Sequence, residues 1–465
     1  MTNTLRSALN LTRTSLMAQA GAVAVTGENI NGADTPGYVR RSPNLEAYAL
    51  GTGIAGGVQW TGTRRAFSTF AFRQLTQETA SLEAATERRR ALAPVENALA
   101  PIGDQTIGDR MAAFFAAVDR LSLTPDDTTV RAETIAAAED VAIAFNDASA
   151  GLSVARDDMF RAAQGVTGEV NRRLERIAAL NQKIAIEPDE TSAKAELIDQ
   201  RDELIREVSE RIEVQILFQD NGTATVSSSG ATLVEGSNAS ALEAVLDPSG
   251  AMRINLQRNN NAFDLTSRLR GGQLGGLLQA REDDTAALVA QLDQLAFEFT
   301  TAVNAVHTAG VDDAGNGGLE LFTDAAGLPP APPPGSAFAL RVNATILADP
   351  SRFAAATAAA PPPGGNENAL AISALQVTVL PGGGTPAEQY AGLTGDLGLR
   401  LEEALSEESL RTNTLAFAQS RSAEEMAVSI EEEFVNLSQF QRAFEASTRV
   451  LTVVNEMFDT VLQLG

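Results

Sequence analysis

The stretch Glu28–Arg41, ENINGADTPGYVRR, ends a long helix-like pattern abruptly. Asn31, Gly32, Asp34, Thr35, Pro36 and Gly37 crowd together, and Tyr38, Arg40 and Arg41 follow at once. Proline removes a backbone donor and clashes with the turn before it, and glycine tolerates conformations other residues avoid, so a helix entering this stretch is expected to stop. Working back, Leu5, Leu9, Thr12, Leu16, Gln19, Val23, Thr26 and Ile30 step by four and three. That is a heptad seam with polar interruptions, the pattern of a helix lying along another helix. A helix of about thirty residues is a rod of roughly 45 Å.

The far end repeats the device. Ile430, Phe434, Leu437, Gln441, Phe444, Thr448, Leu451, Asn455, Phe458 and Leu462 also step by four and three. No proline or glycine falls between Leu399 and Leu464. One helix of roughly sixty residues is expected there, on the order of 90 Å long. Matching seams at both ends predict a rod-like base with the rest of the chain projecting from it. Each stripe needs a cover, which is the other terminus, a neighbouring subunit, or both.

Between the ends, AFRQLTQETASLEAATERRRALAPVENAL reads as helix up to Pro94, and TIGDRMAAFFAAVDRLSLTP as a helix closed by Pro125. Thr128 to Ile186 is almost wholly helix-compatible, with Gly151, Gly165 and Gly168 as weak points. ETSAKAELIDQRDELIREVSERI is amphipathic through Leu197, Leu204, Ile205 and Val208. The pattern then alternates, and Asn221-Gly222 signals a hairpin. A β region is expected to run to about Leu265, and helix to return from Leu274 to about His307. The expected fold is mainly α with a smaller β part, α+β and multidomain. Residues 1–65 and 405–465 would form the paired coiled-coil base, 66–310 and 364–404 a helical body with the β region, and 311–363 a small, variable, Pro/Gly-rich outer domain.

Composition excludes several functions. A formal charge of −25 argues against nucleic-acid binding, because phosphate affinity comes largely from Lys and Arg. The chain has no cysteine, so disulfides, thiolate nucleophiles and Cys-ligated metals are out. No run approaches the roughly 18 apolar residues of a membrane span, so no membrane insertion is expected. The opening MTNTLRSALNLTRTSL lacks the cationic and apolar regions of a secretory signal, so an extracellular destination would need export without a cleaved signal. His307, the only histidine, reads as a helix-end residue, solvated or capping carbonyls. DDAGNGGLELFT from Asp312 fails as a calcium loop, since Ala314 and Thr323 occupy ligand positions three and twelve. LRGGQLGGLL lacks both nucleotide-binding glycine patterns and reads as a tight helix entry. Asp157-Asp158 and Glu282-Asp283-Asp284 read as solvated helix faces. Arg88-Arg89-Arg90 reads as another, or as a partner for a neighbouring subunit. No catalytic residue, cofactor or metal site is expected, and an enzyme is not expected.

NINGADTPGYVRR resembles the N-terminal signature of the flagellar rod, hook and hook-associated proteins. EEEFVNLSQFQRAFEASTRVLTVVNEMFDTVLQL resembles their C-terminal signature. AVSIEEEF departs from that pattern, which more often begins with Gly, and Gly32 stands where the family more often has Ala. The interior segments AELIDQRDELIREVSERI, LRGGQLGGLLQARED, LAFEFTTAVNAVHTAG and RVNATILADPSRFAAA look like the hook–filament junction members. A distal rod or hook protein, and more remotely a hydrolase carried on flagellar termini, are the alternatives. The resemblance implies a structural, extracellular part of the flagellum, self-associating in the axis. It implies hook protein on one side and hook-associated protein 3 on the other, and type III export with a chaperone on the C-terminal helix around Phe434 to Phe458. Axial packing would fall to Leu5, Leu9, Leu16, Val23 and Ile30, to Asn31, Thr35, Pro36, Gly37, Tyr38 and Arg40, and to Ile430, Phe434, Leu437, Gln441, Phe444, Leu451, Asn455, Phe458 and Leu462. Tyr38 would anchor the turn, Arg40 and Arg41 would face groups on adjacent subunits, and both termini would order on assembly.

Overall fold

The heptad helix at the start is present as α1 (Thr2–Gly32), and the turn after it leads into a hairpin of β1 (Arg41–Ala47) and β2 (Val58–Arg65). These elements belong to a computed structural model that describes residues 2–47, 57–101, 103, 106–258 and 261–463. Helix α2 (Thr69–Leu99) starts where Ser68 caps Ala71 N–H, and it passes through Pro94 instead of stopping there. Ala91, Leu92, Val95 and Leu99 are buried on both sides of the proline, and this packing outweighs one lost hydrogen bond. A Thr106/Asp109 capping box opens α3 (Ile107–Leu123). Helix α4 (Thr128–Ile186) runs 59 residues through all three glycines, close to 90 Å of continuous strut. Helix α5 (Ser192–Arg211) packs beside it.

The β region forms as expected. A four-stranded antiparallel sheet follows chain order through β3 (Gln215–Phe218), β4 (Ala224–Ser228), β5 (Ala231–Glu235) and β6 (Asn238–Ala239). A three-stranded sheet holds β7 (Ala241–Leu246), β8 (Met252–Arg258) and β9 (Asn261–Asp264). Asn221-Gly222 makes the β3–β4 turn, with Gly222 at φ +87. Helix then returns as α6 (Gly272–Leu278), a π-helical stretch Gln279–Thr285, and α7 (Ala286–Ala309). Gly272 at φ +71 lies so close to the end of α5 that a Cβ would sit 2.3 Å from Ile212 N, which explains the glycine-rich entry.

Residues 310–385 hold the short elements β10 (Phe322–Thr323), α8 (Ser336–Ala339), β11 (Arg341–Val342), α9 (Ala344–Ala348) and α10 (Glu367–Ser373). The outer domain expected at 311–363 has no separate core. Leu321, Phe322, Leu340, Ile346 and Phe353 join the core built by Phe114, Phe115, Phe145 and Phe299. His307 is wholly buried, not solvated. Its Nδ1 faces Leu319 O, and Ala354 N–H donates to its Nε2 at 3.0 Å, so it staples the excursion to α7. Burial lowers its pKa to about 4. Arg131, also buried, donates to Phe353 O and Asp313, and Arg352 pairs with Asp312.

Asp157, Asp158, Asp283, Arg89 and Arg90 are exposed as expected, but Arg88 and Asp284 depart from the solvated reading. Arg88 and Asp284 are buried and paired at 2.8 Å, with Arg400 on the same carboxylate and Glu403 on the same guanidinium. Arg89 pairs with Glu408 and Arg90 with Glu87. These partners lie within the chain, because the π-helical stretch turns Asp284 inward toward α2.

The C-terminal segment departs from the single helix expected of it. It is two helices, α11 (Pro386–Met426) and α12 (Ile430–Gln463), parted at Ala427–Ser429 where Ala427 is extended. No proline or glycine causes the break. Arg40 N–H donates to Met426 O at 2.9 Å, taking one end carbonyl, and Ser429 Oγ accepts from Glu432 N–H at the new start.

Candidate functional site: the axial helices and their clasp

The end of α1 is fixed by Asn29, which is buried. Its Oδ1 accepts from Arg41 N–H at 2.9 Å and from the Tyr38 hydroxyl at 3.0 Å. Its Nδ2 donates to Arg41 O at 2.7 Å and to Glu433 Oε2 at 2.9 Å. One amide therefore ties the helix end, the turn and α12 together, with both of its polar atoms doubly engaged. Glu433, buried at the start of α12, also accepts from Arg40 Nε at 2.9 Å, and Arg40 reaches Glu432 at 3.1 Å.

The turn itself closes tightly. Thr35 N–H donates to Gly32 O and Tyr38 N–H to Thr35 O, with Gly37 at φ +77. The Tyr38 ring lies against Gly32 so closely that a Cβ there would be 2.6 Å from it. Glycine at position 32 thus follows from the ring's position. Burial pushes the Tyr38 hydroxyl up to about 12, against the pull of Arg41, whose guanidinium stands 4.8 Å from the ring centre.

A second polar layer fastens the hairpin to α5. Arg41 pairs with Asp199 at 3.0 Å and Glu28 at 3.2 Å. Arg65 spans Asp199 at 2.6 Å and Asp202 at 2.9 Å, and Arg201 holds Asp202 from the other side. Burial raises the Asp199 carboxyl, though Arg65 and Arg41 pull it down. Arg40 and Arg41 therefore find their carboxylates inside the chain, where partners on adjacent subunits were expected.

Helix α12 rests chiefly on α1, and the seams show how. Leu5, Leu9, Leu16, Val23 and Ile30 are half-buried, while Thr12 and Thr26 are buried among them. The deepest burial lies round the helix at Ala18, Ala22, Val25 and Asn29, where the hairpin also lies on α1 and Trp60 covers Gly21. On α12, Leu437, Leu451 and Phe458 are half-buried and Val454 is buried. Ile430, Phe434, Gln441, Phe444 and Asn455 are exposed, Phe434 by 56%. Asn31, Thr35, Pro36 and Gly37 are exposed, and Tyr38 and Arg40 are half-buried. The Leu462 side chain lies outside the described residues. The predicted seam of α12 thus sits on the flank of its covered face. A second uncovered set, Val435, Val450, Val453 and Met457, lies on the opposite flank. Asn29 and Glu433 each stand one place before a seam residue, Ile30 and Phe434, so heptad spacing does not mark them. The signal that could have found them is their place, facing in beside the turn at each helix's inner end.

No group of carboxylates and histidine that could hold a metal occurs among the described residues, and no described helix is long and apolar enough to cross a membrane. The arrangement is one of packing: a rod of two helices, covered on one side, joined to a body by a clasp.

The chain matches known proteins along its length. The flagellar hook-associated protein FlgK helical domain matches residues 92–322, and the flagellar basal body rod FlgEFG protein C-terminal domain matches residues 419–464. Flagellar hook-associated protein 1 of Bacillus subtilis is 26% identical, covering 98% of this chain and 97% of the relative. The Escherichia coli protein of that name is 24% identical, over 98% of this chain and 100% of the relative. The flagellar hook junction protein FlgK from Burkholderia pseudomallei shares the fold, with a TM-score of 0.66 at 18% identity over 77% of this chain and all of that one.

Proposed function

The chain belongs to the family of flagellar hook-associated protein 1, and from that membership we infer that it is a structural component of the bacterial flagellum, at the junction between hook and filament. The observation that carries the mechanism is the half-covered base. α1 and α12 cover each other along one side and leave apolar flanks open, which neighbouring copies in the flagellar axis would cover. The axial contacts then fall to the half-buried leucines of α1 and to Ile430, Phe434, Gln441, Phe444 and Asn455 of α12. The clasp sets the direction in which the body leaves the rod. The role is structural and not catalytic.

The neighbours in this reading are hook protein on the cell side and hook-associated protein 3 on the filament side. Before assembly the α12 flanks between Phe434 and Phe458 would be covered by an export chaperone, since an open apolar stripe invites premature association. Export to the outside would proceed through the flagellar channel without a cleaved signal. Isolated hooks lacking filaments provide the test. Electron microscopy should show the purified chain adding a short segment to the distal hook end only. Unchanged hook ends at saturating chain would overturn the reading.

A further inference from the structure

α11 packs on α2, and α2 packs on both α4 and α5, whereas α11 and α4 make no comparable contact among the described residues. α4 and α11 therefore lie on different sides of α2.

On α4, Arg172, Arg176, Ala179 and Lys183 step by four, three and four, share one line of the helix, and are all exposed. Among the described residues, no carboxylate lies within ion-pair reach of these three cations. Their neighbour Arg173 shows the contrast, held by both Glu169 and Glu207. Arg172 acts on Glu169 only at longer range. The line ends at Ile186, 82% exposed. Arg176, Ala179 and Lys183 also wall a groove of about 940 Å³ that opens onto Asn31, Thr35 and Tyr38 of the turn and is lined as well by Glu28, Glu196, Glu203 and Glu207.

On α11, Leu399, Glu402, Leu410, Asn413, Phe417 and Glu424 fall on one line of three-and-four spacing. All six are exposed, and Glu402 and Glu424 have no ion-pair partner among the described residues.

We propose that the α4 face of one copy docks on the α11 face of the next, with Arg172, Arg176 and Lys183 meeting Glu402 and Glu424 and the apolar positions covering one another. Two different patches of one chain make a head-to-tail contact, which repeats around a helical array and does not close on a twofold pair. Opposite charge on the two faces favours this pairing over like-to-like contact. The proposal rests on the junction reading, in which copies stand side by side.

The absence of cysteine makes the test direct. Ala179→Cys is combined in one chain with Ser406→Cys, Asn413→Cys or Ser420→Cys, added to hooks, and treated with a short bismaleimide. A ladder of covalent oligomers is expected from at least one double variant, and none from the single variants. R172E/R176E/K183E in that variant should abolish the ladder, and adding E402K/E424K should restore it. Hooks that carry the protein but yield no ladder from any double variant overturn this contact and leave the junction reading standing. Hooks left bare by the unsubstituted chain overturn both.

Discussion

The body and the base treat their apolar residues in opposite ways. In the body, Phe299 touches Phe114, Phe115, Phe145 and Phe322, and all five rings are buried. Even its polar groups turn inward to partners, as Arg88, Arg131 and His307 do. In the base, α12 is covered chiefly by α1, and Phe434, Val435, Val450 and Met457 face solvent. The body's contacts are complete within one chain; those of the base are half made. The clasp at Asn29 and Glu433 stands between the two and belongs to the first kind, since its polar atoms are paired within the chain.

That contrast can be broken by substitution. The largest effect is expected in the body: Phe299→Ala should cost about 3–5 kcal/mol in denaturant unfolding, because the ring leaves a cavity among four others. A smaller loss in the calorimeter would mean the core is looser than its burial suggests.

Acid should act next. His307 is held neutral with a pKa near 4, below the ordinary 6.5. The unfolded chain takes up a proton as pH falls through 6.5, while the folded chain resists until about 4. Stability is therefore full above 6.5 and falls between 6.5 and 4, by about 3 kcal/mol from this group. His307→Gln should flatten that part of the stability–pH curve, and an unaltered slope would contradict the assignment.

At the clasp, Glu433→Gln should cost about 1–3 kcal/mol, since Arg40 loses its charged acceptor in a buried place. Exchange of the amides around Ala427–Ser429 should report it first. The smallest effect is expected in the base, where Phe434→Ala should change monomer stability by less than about 0.5 kcal/mol. The same variant should add poorly to hooks. A large loss of monomer stability would mean that α12 is already sealed.

The sequence made the base legible because heptad spacing survives in any context. It placed α1, the turn and the far C-terminal helix, and the Tyr38 anchor follows from the same stretch. It could not place the break at Ala427–Ser429, since the residues there are all helix-tolerant and the donor that takes the Met426 carbonyl, Arg40 N–H, is distant in the chain. The glycine that the resembled family more often has at the start of this pattern is the available hint. Arg88 and Asp284 looked solvated because a charge carries no mark of burial, and only the π-helical stretch brings them together. His307 failed for the same reason. Pro94 is by residue type a helix stop, yet packing on both sides carries the helix through it.

Hydrogen exchange on the free and the hook-bound chain tests the central claim most directly. Amides of α4 and α7 should be slow in both states. Those of α1 and α12 should be fast in the free chain and slow once bound. Equal protection of α1 and α12 in the two states would contradict the account, because the base would then be complete before any neighbour arrives.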